Sequence, residues 1–269
     1  MSILHGTKSV LFRVIRDFLR EQRKEGFQVE ILIYIIILCF GLAAGSFLNV
    51  CISRIPEEKS IVFPPSSCPK CGARIRTYDL IPILSWLLLR GKCRACGLPI
   101  SPRYPIVEGL TAVVFTLLYF KAGPTLDLAF YFVFAVLLIV ISFIDIENLM
   151  IPDFLMIAGI AVGFIFSLIK GNITDSLIAV CAAFVFMSLI GFAAKMWLQK
   201  EALGEGDIKL MVMMGSFLGT QGMINTLVIG SVTGAAIGMT LIAMKALKRE
   251  DYIPFGPFLA LGALISILI

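Results

Sequence analysis

The sequence predicts an all-α polytopic membrane protein with about eight transmembrane helices and one small polar segment between the first two. Hydrophobic residues make up 59% of the 269 positions and charged residues only 15%, whereas soluble domains carry roughly 25% charged residues. Apolar runs near the ~20 residues needed to cross a bilayer recur along the chain. These runs do not alternate between apolar and polar positions, as the strands of a transmembrane β-barrel would.

The elements follow in chain order. Residues 1–29 form a basic extension in which Val10, Val14 and Phe18 share one helical face, as in helices that lie on a membrane surface; a solvated extension without a specific role is the alternative. Residues 30–51 form the first span, where Gly41 and Gly45 allow close helix approach.

The polar segment occupies residues 52–104. Its apolar piece at 80–89 is too short to cross a bilayer, and we expect it to pack on the membrane surface or on the bundle. The transmembrane core occupies 105–269, with spans expected at 106–121, 127–145, 151–169, 176–197, 208–220, 224–244 and 254–269.

The positive charge is concentrated in two regions. Six Lys and Arg residues fall in 1–28 and nine in 52–104, and such a bias reports topology because cytoplasmic loops are enriched in these residues. We therefore place 52–104 in the cytoplasm, and counting spans puts 146–150, 198–207 and 245–253 on the same side. The basic N-terminus then falls outside, in conflict with the same rule. Nucleic acid is not an expected partner, because the basic residues lack a binding motif or a stacking platform.

Two aspartates lie at the ends of apolar spans. Asp145 ends the third span and Asp207 follows the fifth, so two crossings separate them and both emerge on one side of the membrane. Charge near hydrocarbon is costly and marks functional positions. Two carboxyl groups at one depth do not both ionise readily, so the pair tends to share a proton. Such a pair supplies a general base and a general acid, which is how aspartic proteases hydrolyse peptides.

The sequence around Asp207 is expected to form an active-site loop. Gly204 and Gly206 permit unusual backbone angles and close approach of a substrate backbone, and Glu205 and Lys209 complete the segment. The alternative is that Asp207 is an ordinary N-cap of the following helix.

Two other acids lie close to Asp145 in the sequence. Glu147 and Asp153 belong to the same connection, and Asp153 follows Pro152 at a position that favours capping of the next helix. Asp145 is preferred as the catalytic residue because it belongs to the apolar span, where ionisation is most perturbed.

Four cysteines in the polar segment form two C-x2-C pairs, Cys68 with Cys71 and Cys93 with Cys96, with 21 residues between the pairs. This spacing is typical of four-thiolate zinc sites, which are closed and structural. Two disulfides are the alternative, and a cytoplasmic location disfavours them because thiols stay reduced there.

Several stretches then appear in order: GSFLNVCISRIP (45–56), the cysteine pairs, SPRYPIVEGLTA (101–112), FIDIENLMIPD (143–153), LGEGDIKL (203–210) and IPFGPFLALG (253–262). Together they resemble the bacterial type IV prepilin peptidases, the leader peptidase/N-methyltransferase family, from about residue 41 to the C-terminus. The resemblance implies a G-x-G-D aspartic protease whose Asp145 and Asp207 act at the cytoplasmic face of the bacterial inner membrane. It implies type IV prepilin or pseudopilin substrates, whose short basic leader is removed after a glycine.

The resemblance also implies that the new N-terminal residue is methylated with S-adenosylmethionine, and that members with the cysteine segment are commonly bifunctional. By the same resemblance, Asn49 and Glu108 are candidate methyltransferase residues. Two structural roles remain open for them: Asn49 forms a hydrogen bond between helices, and Glu108 pairs with Arg103 or Arg54.

In this interpretation, Glu205, Glu147 and Asp153 attract the basic leader. Two other function classes compete with the peptidase. A proton- or cation-coupled transporter would use Asp145 and Asp207 as a relay, but transporters place charges near the midplane and carry repeats, which this sequence lacks. A scaffold that recruits a partner through its zinc segment leaves the aspartates without a role.

Overall fold

Helices account for the regular structure of the protein. The computed structural model describes residues 3–198, 204–246 and 252–269, with side chains for 28–197, 204–246 and 252–269. The helices are α1 (Ile3–Arg54), α2 (Leu84–Leu88), α3 (Arg103–Ala122), α4 (Leu126–Asn148), α5 (Asp153–Lys170), α6 (Ile173–Leu198), α7 (Glu205–Ala243) and α8 (Gly256–Leu268). A 3-10 helix spans Thr77–Leu80, and the described residues contain no strand. The predicted all-α class is confirmed.

The first helix is continuous from the N-terminal extension into the first span. From residue 3 onward, α1 runs without a break from the expected extension (1–29) into the expected first span (30–51), and it ends at Arg54, three residues beyond the expected boundary. The side chains of the amphipathic face around Val10, Val14 and Phe18 lie outside the described residues. The apolar piece at 80–89 contains only the five-residue α2, and Leu84, Leu87 and Leu88 on it are exposed.

Six helices in the described part of the chain are long and apolar enough to cross a membrane: residues 28–54 of α1, then α3, α4, α5, α6 and α7. The difference from the expected eight arises at the C-terminal end. The expected spans 208–220 and 224–244 fall within the single element α7, and 254–269 corresponds to α8, whose 13 residues extend only about 20 Å.

The 39-residue α7 changes direction at Gly219. This residue has φ 66° and ψ −170°, a left-handed φ that favours glycine. Before it, Gly159 and Gly163 of α5 pack against Met213 and Ser216, so residues 205–218 run beside α5 in the same direction.

The second leg of α7, residues 220–243, returns along the bundle. Gly230 packs against Leu259 of α8, and Gly238 packs against Ile253 just before α8, so this leg runs antiparallel to α8. With these two legs and α8 the chain makes eight helical passes in alternating directions, which is the expected order even though only six helices reach full span length.

Close backbone contact joins α1 to α3. A Cβ added at Gly41 would lie 2.6 Å from Ala112 Cα, and one added at Gly45 would lie 2.7 Å from Glu108 Cα. The predicted use of small residues for close helix approach is therefore confirmed.

The centre of the bundle is α4. Phe134, Leu138, Ile141 and Ile144 on this helix are fully buried, and α4 packs against α1, α3, α5 and α8. A helix held on several sides has little freedom to rotate or slide, so the packing fixes the position of Asp145 in its last turn.

Candidate active site

Asp145 lies at the C-terminal end of α4 and is 6% exposed. The backbone N–H of Gly256 donates a hydrogen bond of 3.1 Å to its Oδ2 atom. Gly256 is the first residue of α8, and the positive end of a helix dipole favours a nearby carboxylate. Sequence reasoning did not select Gly256, although the stretch 253–262 contains it.

Asp207 lies in the first turn of α7. The N-cap of this helix is Gly204, so Asp207 is the third helical residue and the N-cap alternative is wrong. Its carboxylate accepts a hydrogen bond from the Gly204 backbone N–H, as the third residue does in a capping box. Asp207 is partly buried and is close enough to Asp145 for the two carboxyl groups to interact electrostatically.

Ile151 lies between the segments that carry the two aspartates. A Cβ added at Gly206 would lie 3.1 Å from Ile151 Cβ, and one added at Gly256 would lie 3.6 Å from Ile151 Cδ1. The prediction of unusual backbone angles is wrong: Gly204 is extended (φ −73°, ψ 147°) and Gly206 is helical. Gly206 is closely packed against the Ile151 side chain, and the close approach of a substrate backbone stays a prediction.

Ion pairs surround the two aspartates. Lys209 Nζ lies 2.7 Å from Asp153 Oδ1 and links α7 to α5. The prediction that Asp153 caps α5 is therefore wrong: the N-cap position is Pro152, and no side-chain capping bond forms. Arg103 pairs with Glu147 and joins the start of α3 to the end of α4. Of the acids expected to attract a leader, Glu147 and Asp153 are thus already paired, and Glu205 is exposed.

The arrangement provides two carboxyl groups that differ in surroundings. Asp145 is almost completely buried and has its Oδ2 atom engaged, whereas Asp207 is partly open to solvent at the same end of the bundle. A substrate or water that reaches Asp207 therefore also approaches Asp145. This geometry suits general acid–base chemistry on one bound water.

The sulfur atoms of the four cysteines all lie within 4.8 Å of one another, in Cys68, Cys71, Cys93 and Cys96. Four thiolates around zinc at about 2.3 Å form a tetrahedron with sulfur atoms about 3.8 Å apart, so a modest contraction closes the site. All seven cysteines are free thiols in the structure, and the four are gathered into one cluster.

Two matching turns hold these cysteines. In the first turn the Cys68 N–H donates to Ala73 O and the Gly72 N–H donates to Cys68 O, both at 2.9 Å. In the second turn the Cys93 N–H donates to Leu98 O and the Gly97 N–H donates to Cys93 O, also at 2.9 Å. Gly72 and Gly97 both have φ 70°. Backbone N–H groups of Cys71 and Lys70 lower the pKa of the Cys68 thiol to about 7. The Ala73 backbone lowers the pKa of Cys71, but burial and the neighbouring Cys68 outweigh it and raise that pKa to about 11, so Cys68 is the cysteine of this pair that more readily forms the thiolate that a metal requires.

The methyltransferase candidates Asn49 and Glu108 lie where α1 meets α3. Asn49 Nδ2 donates to Tyr104 O at 3.1 Å, so the expected hydrogen bond between helices is confirmed. Glu108 Oε2 accepts the Ile83 N–H at 2.7 Å, which ties α3 to the cysteine segment. Its predicted pairing with Arg103 or Arg54 is wrong.

Fold and site together describe a multi-pass membrane protein with a paired-aspartate centre and a four-cysteine cluster. The chain belongs to the type IV leader peptidase family, whose profile matches residues 132–239, the range that contains both aspartates. The bacterial peptidase A24 N-terminal domain matches residues 39–122, the range that contains the four clustered cysteines.

Comparison with individual members of this family shows which named proteins the chain resembles. The chain is 33% identical over 263 residues to the prepilin leader peptidase/N-methyltransferase of Aeromonas hydrophila, covering 88% of this chain and 91% of the relative. Proteins of the same name from Legionella pneumophila (33% over 258 residues, 87% and 90%) and Myxococcus xanthus (38% over 212 residues, 77% and 63%) also match. The chain thus spans less than two thirds of the Myxococcus relative. No solved structure matches, and these comparisons give no support to the transporter alternative.

Proposed function

We propose that this protein is a membrane aspartic endopeptidase that removes the short basic leader from type IV prepilins or pseudopilins and N-methylates the new N-terminal residue. The observation that carries the proposal is the meeting of Asp145 and Asp207 at one end of the bundle, with family membership defining the reaction. The relatives are named for both activities, which supports the bifunctional assignment.

Hydrolysis follows from the two carboxyl groups. One is ionised and the other protonated; the ionised carboxylate takes a proton from water as the water oxygen attacks the scissile carbonyl carbon. The protonated partner gives its proton to the carbonyl oxygen. The tetrahedral intermediate then collapses: the C–N bond breaks, the carboxyl group that took the water proton gives it to the leaving amine, and its partner takes a proton back from a hydroxyl group of the intermediate. The Gly256 N–H fixes Oδ2 of Asp145, which leaves Oδ1 to contact the water.

The scissile bond of a prepilin is expected at the same depth in the membrane as the two aspartates. A prepilin has a basic leader followed by an apolar helix, so its scissile bond lies at a membrane interface, as the two aspartates do at the ends of α4 and α6–α7. We place this interface at the cytoplasmic face of the bacterial inner membrane, because nine Lys and Arg residues in 52–104 favour that side. Arg103, near the end of that segment, pairs with Glu147 in the last turn of α4 and puts the segment at the same end of the bundle. The exposed Glu205, in the first turn of α7 with Asp207, attracts the basic leader.

The four-cysteine cluster fits structural zinc. Cys68, Cys71, Cys93 and Cys96 supply the four ligands and leave no open position for catalysis. Segment 52–104 contains few buried apolar residues, so metal binding is the main source of its folding free energy.

The methyl transfer requires S-adenosylmethionine, which supplies an electrophilic methyl group to the new α-amino group. The residues that fit a polar ligand lie where α1 meets α3, since Asn49 there has a fully buried Oδ1 atom without a partner. The carboxylate of Glu108 is engaged by the Ile83 N–H and by the Ser46 hydroxyl. We therefore assign Asn49 to the methyl-transfer site and give Glu108 a supporting role that holds the cysteine segment against α3.

Leader removal from a purified prepilin tests the proposal. We expect wild-type protein in detergent to release the leader, and Asp145→Asn and Asp207→Asn each to abolish release while the protein still inserts and folds. Asp127→Asn is the matched control, because Asp127 begins α4 at the opposite end and pairs with Lys170. Full cleavage by either active-site variant, or none by wild type, contradicts the proposal.

A further inference from the structure

Two buried polar atoms in the described part of the chain have no hydrogen-bond partner, Asn49 Oδ1 and Arg103 Nε. Asn49 is 1% exposed. Its Nδ2 atom donates to two carbonyl oxygens, Gly45 O at 3.2 Å and Tyr104 O at 3.1 Å. Because only the amide NH2 can donate to carbonyls, this environment fixes the orientation of the amide, and Oδ1 is the unpaired atom.

The two unpaired atoms are neighbours. Asn49 bonds to the backbone of Tyr104, which adjoins Arg103, and Arg103 Nη2 donates to Ser53 Oγ at 2.7 Å, one helical turn beyond Asn49. Arg103 also pairs with Glu147, two residues after Asp145. Buried polar groups in folded proteins nearly always have partners, so two unpaired atoms in one α1–α3 contact region indicate a ligand.

The chemistry of the pair restricts that ligand. Asn49 Oδ1 is an acceptor and needs a donor, whereas Arg103 Nε–H is a donor and needs an acceptor. An α-amino-acyl group carries both, an ammonium and a carboxylate or carbonyl oxygen on one carbon. We propose that Asn49 and Arg103 bind an α-amino-acyl group, with its amine on Oδ1 and its oxygen on Nε.

This inference rests on the proposed methyl transfer, in which two molecules carry such a group. One is S-adenosylmethionine, through its methionine end, and the other is the processed substrate, through its new first residue. The Tyr104 ring lies over the Arg103 guanidinium, 5.0 Å from Cζ to the ring centroid. This ring is only partly buried.

Binding measurements on the purified full chain test the proposal. The variants are Arg103→Lys, which keeps a cation for Glu147 but removes Nε–H, and Asn49→Leu, which removes Oδ1 at similar volume. Thr116→Val is the control, because the Thr116 hydroxyl bonds within α3 to Ala112 O away from the site. The probes are labelled S-adenosylmethionine, methylthioadenosine (which lacks the amino-acid end), and a mature pilin peptide with a free or an acetylated N-terminus.

We expect both variants to bind one amino-acyl probe about 10- to 100-fold more weakly, the range for hydrogen bonds to charged groups, with zinc content retained. A loss confined to S-adenosylmethionine identifies the methyl donor as the ligand, and a loss confined to the free-N-terminus peptide identifies the processed substrate. The proposal is overturned if the variants bind S-adenosylmethionine and the free-N-terminus peptide with wild-type affinity. It is also overturned if they lose as much affinity for methylthioadenosine and for the acetylated peptide as for the intact probes.

Wild-type protein provides an arm that does not depend on the variants folding. It should bind either decarboxylated S-adenosylmethionine more weakly than S-adenosylmethionine, or the acetylated peptide more weakly than the peptide with a free N-terminus, by a similar factor. Equal binding within both of these pairs overturns the proposal. Failure of the proposed methyl transfer gives a different result from failure of this binding proposal. In that case wild-type protein would bind the peptide through its free N-terminus but would transfer no methyl group to it.

Discussion

The hydrogen bond from the Gly256 N–H to Asp145 leads to a sharp prediction for Gly256→Ala. A Cβ at this position would lie 2.7 Å from Asp145 Oδ2 and 3.4 Å from Cγ. Ordinary contact requires about 3.4 Å, so the carboxylate must move by about 0.7 Å. Because a misplacement of about 1 Å costs roughly 100-fold in rate, we expect cleavage to slow by about 10- to 100-fold.

Single-turnover cleavage of a prepilin in detergent measures this effect separately from product release. Gly109→Ala is the matched control, since an added Cβ there meets only Ile83 Cδ1 at 3.6 Å and alanine favours the helix. The reasoning is refuted if Gly256→Ala folds with its zinc and cleaves at the wild-type rate, because the position of Asp145 would then not depend on the α8 N-terminus.

Other predictions concern the fold. Gly219→Ala should lower the thermal midpoint in detergent, because φ is 66° there and an added Cβ would lie 2.0 Å from Asp175 Oδ2; an unchanged midpoint would contradict the turn in α7. Cys71→Ser or strong chelation should release zinc and make segment 52–104 sensitive to trypsin, and zinc loss should increase as the pH falls because thiolates are the ligands; protection that survives complete metal removal would speak against a structural metal. Lys209→Gln should change stability by less than about 1 kcal/mol, as for exposed ion pairs, with a larger loss indicating a role beyond the bond to Asp153.

The sequence was sufficient to predict that the two aspartates lie at the same end of the bundle. Counting two crossings between Asp145 and Asp207 does not depend on span boundaries, and α5 and α6 are both candidate spans. The cysteine cluster could also be predicted, because the C-x2-C spacing specifies a local turn that brings two sulfur atoms together.

Contacts between distant segments could not be predicted. The sequence alone does not show that Glu108 meets the Ile83 N–H, that Arg103 meets Glu147, or that α8 begins at Asp145. Each of these contacts joins residues at least 25 positions apart and depends on the packing of α1, α3, α4 and α8. The contact of Gly206 with Ile151 is also tertiary and could not be predicted from the sequence.

The central claim is that Asp145 and Asp207 act as one unit on one water. The direct test compares prepilin cleavage rates of Asp145→Asn, Asp207→Asn and the double variant, all with zinc bound. Residues that act together lose their combined contribution when either is removed, so we expect the double variant to be no slower than either single variant. Losses that multiply in the double variant, or substantial cleavage by either single variant, would contradict the account.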